Sequence, residues 1–451
     1  MKKIFFSLIC SAFAYCYSGQ AQTISPENTL SDAEKVVGLS ICWLEAKYNF
    51  VYFDRLTFNW DSLYHATIPI VFATKNDFEY YRELQRFVAT LQDGHTRVSW
   101  NRRDLRDNLV TIPIITRLID GKMIVTEVLN DELEQLQGIK RGLEIAGING
   151  IDVHEYVSSN IKPFIFSSTE QWTNFIAYGR DATRGKRSDS IRLTFKDDNN
   201  SVFESTISHS MSENSLPPAL LFDFTVLENN IGMLRIDDFW RNNFTAHFDS
   251  IYKKILATDA LIIDIRGNGG GNSNNSEYVL SHLTKRRFKM STWSSPRYIP
   301  AFASWDRPRD WYIGAPWIGK PIKRKPFYNK PVALLIDEGT FSAAEDFCVG
   351  FRNMKRRFGF RNIKRGTIIG TPSGGSTGNP IGFVLPGGGW VQFCSKKDIY
   401  PDGTEFVGVG ILPDIEVRET VSSFLSKAET GIDNSNATRK AIEVLKSSMK
   451  K

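Results

Sequence analysis

The chain has 451 residues, 41% of them hydrophobic and 24% charged, enough apolar material for about three domain cores at ~150 residues each. Its 56 basic and 50 acidic side chains leave a formal charge of +6, too balanced for a protein whose main partner is nucleic acid. Its six histidines include no His-Glu-x-x-His pair, and no cysteine spacing matches a metal site.

The first residues read as a secretory signal. Lys2-Lys3 form a charged start, Ile4 to Cys16 an apolar run, and Gly19-Gln20-Ala21 a small-residue site that predicts cleavage after Ala21. The run is too short to span a bilayer, and bulky Ile9 and Tyr15 argue against lipid attachment at Cys10 or Cys16. No later segment reaches ~18 uninterrupted apolar residues, so the mature protein is expected to be secreted or periplasmic, with no stable membrane insertion. It would keep Cys42, Cys348 and Cys394, an odd set that makes no disulfide framework but leaves a single bridge open in an oxidising compartment.

Residues 22–107 read as a helical subdomain. Ser31 to Glu34 can cap a first helix, and Phe78, Tyr81, Leu84, Phe87, Val88 and Leu91 form one stripe of a later helix that stops at Asp93-Gly94, just before His95. Residues 108–212 turn to short strands. Within them, Gly142 to Val153 resembles the part of PDZ domains where a strand meets an Ile-Asn-Gly turn. Such domains bind extended peptides by strand addition; the plain alternative is a small β-rich domain without a ligand. From 213 to 420 buried strands alternate with helices, at Leu261 to Ile265 and again at Val332 to Ile336, with a later strand-like piece at Phe406 to Ile411, predicting an α/β sheet. Residues 421–451 hold a terminal helix, and Trp293 to Lys330 reads as a long loop.

Three segments can carry chemistry. Thr340-Phe341-Ser342-Ala343-Ala344-Glu345 places a hydroxyl at a strand-to-helix turn, over the free N–H groups of a helix start. Alone, Ser342 and Glu345 fit an ordinary capping box just as well. Asp264-Ile265-Arg266-Gly267-Asn268-Gly269-Gly270-Gly271-Asn272 ends a buried strand with glycines that let N–H groups converge on an anion. A dinucleotide fingerprint fails there, because Asn272 replaces its third glycine and no acidic residue follows about twenty positions on. His95 follows a turn, and a lone histidine is usually structural. Ten scattered tryptophans are a weak hint of sugar binding.

Taken together, these segments resemble the C-terminal processing (tail-specific) serine peptidases, in the branch similar to the tricorn protease core and interphotoreceptor retinoid-binding protein. The matching stretches are Asp93-Gly94-His95-Thr96, Asp264-x-Arg266-x-Asn268-x-Gly270-Gly271, Thr340-x-Ser342-Ala343-Ala344-Glu345 and Gly408-Val409-Gly410-Ile411-Leu412-Pro413-Asp414. They come in the family's order and span about residues 30 to 420. The resemblance implies a mixed α/β fold: an N-terminal helical subdomain, a PDZ-like domain and a peptidase domain of the ClpP/crotonase-like kind. One branch of the family uses a lysine in a Thr-x-Gly-Lys-Gly loop. The loop here, Gly370 to Gly378, has none, and Lys364 lies before it as a surface lysine. The other branch uses a histidine, which implies a Ser342 nucleophile with His95 as base. Its third member is a glutamate where this chain has Val407, leaving Glu405, Asp402 or no residue to orient His95. The oxyanion would sit on the amides of Gly270 and Ala343, while Asp264 and Arg266 brace the glycine turn. The expected activity is that of a serine endopeptidase acting on polypeptides, without cofactor or metal. The alternative is a non-catalytic peptide or ligand binder on the same scaffold. Oligomeric state stays open.

Overall fold

A computed structural model describes residues 29–450 except 101, 103–104, 106, 212–221, 324, 359–360 and 431–434. The leader and its cleavage site lie outside the described residues. None of the described helices is long and apolar enough to cross a membrane.

The centre is a six-stranded sheet in the order Ile415–Glu416, Thr367–Gly370, Val332–Ile336, Ala260–Asp264, Ile231–Ile236, Phe222–Leu227. The first five strands are parallel and the last is antiparallel. Ala260–Asp264 and Val332–Ile336 are buried along their whole length, as a strand covered on both faces must be. Their period of two divides two cores. Leu261, Ile263, Leu334 and Ile336 face the larger core with the Ala343–Asn353 helix. Ile262, Ala333 and Leu335 face the terminal helix Asn436–Met449 through Ala437, Ala441 and Leu445. Each buried Leu or Ile contributes roughly 1.5–3 kcal/mol.

Three helices open the described chain: Asp32–Asn49, Trp60–Phe72 and Asp77–Ala89. The third is capped by the Asn76 side chain, which accepts the Glu79 N–H at 2.9 Å. Beyond it, Arg97–Trp100 adds antiparallel to Gly389–Cys394, with Val98 opposite Val391. This pairing carries the residues after the third helix onto the central domain.

The middle of the chain forms its own antiparallel sheet: Ile114–Ile119, Lys122–Val128, Glu144–Ile148, Ser190–Lys196 and Val202–Ser208. Its separate core includes Val125, Ile145, Leu193 and Phe195. The Ile148-Asn149-Gly150-Ile151 segment is a two-residue hairpin turn, with φ of 54° at Asn149 and 82° at Gly150.

Two expectations about elements are corrected. Trp293 to Lys330 is not one structureless loop: Thr292–Arg297 pairs with Asp310–Ile313 on one side and Lys397–Ile399 on the other. The second partner lies about a hundred residues further along the chain, which local composition does not reveal. Phe406 to Ile411 is a chain of turns rather than a strand, because Gly408 and Gly410 take φ of 86° and 96°.

Candidate active site

Ser342 stands between the buried strand Val332–Ile336 and the Ala343–Asn353 helix. The turn is stitched to the glycine-rich turn of the neighbouring strand. Asp337 Oδ1 accepts the N–H groups of Gly267 (2.7 Å) and Gly339 (3.0 Å). The Thr340 hydroxyl donates to the Ile265 carbonyl (3.0 Å), and the Phe341 N–H donates to the Asn268 carbonyl (2.9 Å). Ser342 itself has φ 56° and ψ −122°, a conformation that non-glycine residues rarely take. Its N–H points at Glu345 Oε2 (3.1 Å) and the Ser376 carbonyl (3.2 Å). The Glu345 N–H bonds to the Ser342 carbonyl (2.7 Å).

The Ser342 hydroxyl meets His95. Nε2 of the imidazole lies 3.0 Å from Ser342 Oγ, although the two residues are 247 positions apart. The His95 backbone is fixed on both sides: its N–H donates to Asp93 Oδ1 (3.0 Å), and its carbonyl accepts Gln392 Nε2 (2.8 Å). The ring stacks on Phe341 at 4.9 Å and 10°, and Phe341 stacks in turn on Trp172 at 4.1 Å. A Cβ on Gly94 would come within 2.8 Å of the Phe341 ring, so the residue before His95 must be small. Burial, with the nearby charges of Arg97 and Lys396, pushes the imidazole well below its ordinary proton affinity, so it is neutral at pH 7. A neutral imidazole this close to a hydroxyl can take its proton.

Nδ1 of His95 faces no carboxylate. It lies 3.0 Å from Ser376 Oγ. The expected glutamate is elsewhere: Glu405 is exposed and ion-paired with both Arg55 and Lys397. The turns at Gly408 and Gly410 break the strand alternation that would have carried its carboxylate inward. Asp402 is also exposed and accepts the Thr404 N–H at 2.9 Å. Glu405→Gln is therefore expected to change peptide hydrolysis by less than about threefold, and the melting curve by under about 1 kcal/mol. Steady-state cleavage and thermal unfolding check both.

The amides need a second correction. The Gly270 N–H is already given to Asn268 Oδ1 at 2.8 Å. Among the described residues, no acceptor takes the N–H of Ala343 or of Gly271. Gly270 matters through its Cα, because a Cβ there would lie 2.8 Å from the Ala343 nitrogen. Asp264 and Arg266 brace the turn as expected, joined by a two-pronged contact of 2.8 and 2.6 Å. Lys364 pairs with Asp414 at 2.7 Å on the surface. Among the described residues, no group of three His, Cys, Asp or Glu side chains is arranged to hold a metal. A cavity of 720 Å³ lies beyond the Asp337 turn, lined by Arg117, Phe175, Arg266, Glu338 and Thr371, and neither Ser342 nor His95 borders it.

Residues that the sequence did not single out complete the site: Ser376, Gln392, Trp172, and Ser168, whose Oγ accepts the Gly94 N–H at 3.1 Å. Asp93 is buried, and among the described residues its Oδ2 has no hydrogen-bond partner. Burial raises its carboxyl to about 6 from 3.8. A carboxyl raised on folding favours the fold below its unfolded value and loses that contribution as pH rises through the folded one. Asp93→Asn keeps the Oδ1 acceptor. It should flatten the decline in stability between pH 4 and 6 that Asp93 causes, a change on the order of 2–3 kcal/mol. Denaturant melts across that range check it.

A sequence model of peptidase family S41 matches residues 230–417, the stretch that holds the central parallel strands, the glycine turn and Ser342. Residues 230–417 are a peptidase family S41 domain. The chain is a serine-type peptidase, and so a hydrolase. The solved structure of mature CPAF in complex with lactacystin is similar in fold to this chain, with a TM-score of 0.68 at 15% identity, over 92% of this chain and 98% of that one. A second structure of mature CPAF gives 0.67 at 15% identity, over 92% and 97%. A putative peptidase from Parabacteroides merdae gives 0.52 at 17% identity, over 92% and 97%. At these identities the likeness establishes the fold. His95 lies upstream of the matched stretch, so the chain brings its serine and imidazole together from separate regions.

Proposed function

We propose that this chain is a secreted or periplasmic endopeptidase in which Ser342 is the nucleophile and His95 the general base. The observation that carries the reading is the 3.0 Å contact between Ser342 Oγ and a desolvated imidazole nitrogen. His95 Nε2 takes the hydroxyl proton as Ser342 Oγ bonds to the substrate carbonyl carbon. The tetrahedral oxyanion is held by the Ala343 N–H, with Gly271 rather than Gly270 as the second donor. The imidazolium then gives its proton to the leaving nitrogen as the C–N bond breaks. Water, deprotonated by the same nitrogen, releases the acyl group and restores Ser342.

Residues 108–212 act in this reading as a PDZ-like module that takes an extended polypeptide by strand addition. Their antiparallel sheet and Asn149-Gly150 hairpin support it. The leader from Lys2 to Ala21 supports export. The second reading, a peptide holder without turnover, rests on the missing carboxylate at His95 Nδ1. A fluorophosphonate followed by peptide mapping should label Ser342, and the protein should cleave labelled casein. Labelling at another residue, or casein bound and left intact, overturns the endopeptidase reading.

A further inference from the structure

We propose that Ser376 is the positioning residue for His95, and that Glu345 clamps it in place, so that a buried hydroxyl does here what a carboxylate does in most serine–histidine pairs. The inference rests on the endopeptidase reading above. To accept the Ser342 proton, Nε2 must carry a lone pair, so the neutral ring must carry its proton on Nδ1. The atom facing Nδ1 is Ser376 Oγ at 3.0 Å, and a hydroxyl oxygen accepts that N–H and fixes the tautomer.

The backbone around Ser376 is unusually constrained. Ser376 is fully buried. Its N–H donates to Glu345 Oε2 (3.0 Å), and its carbonyl accepts the Ser342 N–H (3.2 Å). The same Glu345 Oε2 accepts the Ser342 N–H (3.1 Å). One carboxylate oxygen thus holds the backbone of both residues whose hydroxyls meet the imidazole nitrogens. The other, Oε1, accepts the Ser373 hydroxyl (2.6 Å) and the Gly375 N–H (2.8 Å). Ser373 Oγ accepts the Ile411 N–H (2.6 Å), which ties the loop to the closing Gly408–Pro413 turns. Four donors on one fully buried carboxylate make Glu345 more than a helix cap. Glutamine could not replace it, because its NH₂ would confront two of those donors. The arrangement also accounts for the loop's composition. Gly375 takes φ of 74°, and a Cβ there would lie 2.8 Å from the Gly410 nitrogen.

The test uses fluorophosphonate labelling of the full-length protein, which needs the imidazole but no known substrate. Ser376→Ala should lower the limiting labelling rate about 10²-fold and leave the half-saturating probe concentration unchanged, since orientation of the base acts on the chemical step. Ser376→Thr, which restores an acceptor, should bring the rate back to within about threefold of wild type. Should Ser376→Ala lose its melting transition, Ser376→Cys keeps the volume with a poor acceptor, and should show the same loss. Wild-type protein that is not labelled at Ser342 overturns the endopeptidase reading itself. Wild-type labelling at Ser342 together with equally fast labelling of a folded Ser376→Ala or Ser376→Cys overturns only the role given to Ser376. A loss that threonine fails to restore overturns that role as well.

Discussion

Ser342→Ala is expected to lower casein hydrolysis by about 10⁴–10⁶-fold and to abolish fluorophosphonate labelling. Residual turnover would come from the amides and from substrate binding, which the substitution leaves intact. The fold should survive, because the substitution removes the hydroxyl's contact to His95 while the Ser342 backbone keeps its contacts to Glu345 and Ser376. The backbone makes a second expectation possible. At φ 56° and ψ −122° any Cβ is strained, so alanine inherits the strain that serine bears. Glycine does not. Ser342→Gly should be as inactive as Ser342→Ala yet more stable by about 1 kcal/mol, read as a higher melting temperature. Such a trade belongs to a position held strained for function. Activity left within tenfold of wild type in either variant would remove Ser342 from the nucleophile's role.

What the sequence could disclose divides along physical lines. The runs Leu261 to Ile265 and Val332 to Ile336 are apolar on both faces, a pattern that points to a covered parallel strand whatever its partners. The turn after each is written in local residues too, glycines in one and Thr340-Phe341-Ser342 in the other. His95 became more than a lone histidine only through the order of four short motifs. Its approach to Ser342 depends on Arg97–Trp100 pairing with Gly389–Cys394, a contact across almost 300 residues (297 between His95 and Gln392) that no local pattern encodes. The loop that carries Ser376 stands out in the sequence only by its lack of a lysine. A serine among glycines carries no signal of its own, and it gains meaning only when Glu345 pulls the loop against the helix start. Glu405 failed for the converse reason. Spacing from a motif suggested it, but Gly408 and Gly410 turn the chain, and Arg55 from the helical region captures the carboxylate. The glycine turn differs from its sequence reading in detail, since the side chain of Asn268 takes the amide that sequence had assigned to the oxyanion.

Gly270→Ala is expected to remove activity almost as thoroughly as loss of the nucleophile, by a different route. A methyl group there would sit 2.6 Å from the Phe341 carbonyl, 2.8 Å from the Ala343 nitrogen and 2.8 Å from Ser342 Cβ, with φ at 95°. None of these neighbours is the free end of a flexible side chain. Two are backbone atoms of the turn that presents Ser342, so the two turns must part. Parting them moves the Ala343 N–H away from the developing oxyanion, and each such donor is worth about 10²–10³ in rate. The positive φ adds strain of about 1–3 kcal/mol. The expected result is a fall in casein hydrolysis of at least about 10³-fold, with a lower melting temperature. Gly269→Ala is the control. A Cβ there meets nothing within 4 Å, and Gly269 needs no left-handed backbone, so activity should stay within about threefold of wild type. The pair of variants separates two uses of a glycine-rich turn. If the turn serves only as a flexible connector, adjacent alanines should cost about the same. If it is a surface against which the Ser342 turn is seated, the cost must fall almost wholly on Gly270, and equal effects at the two positions would refute that seating.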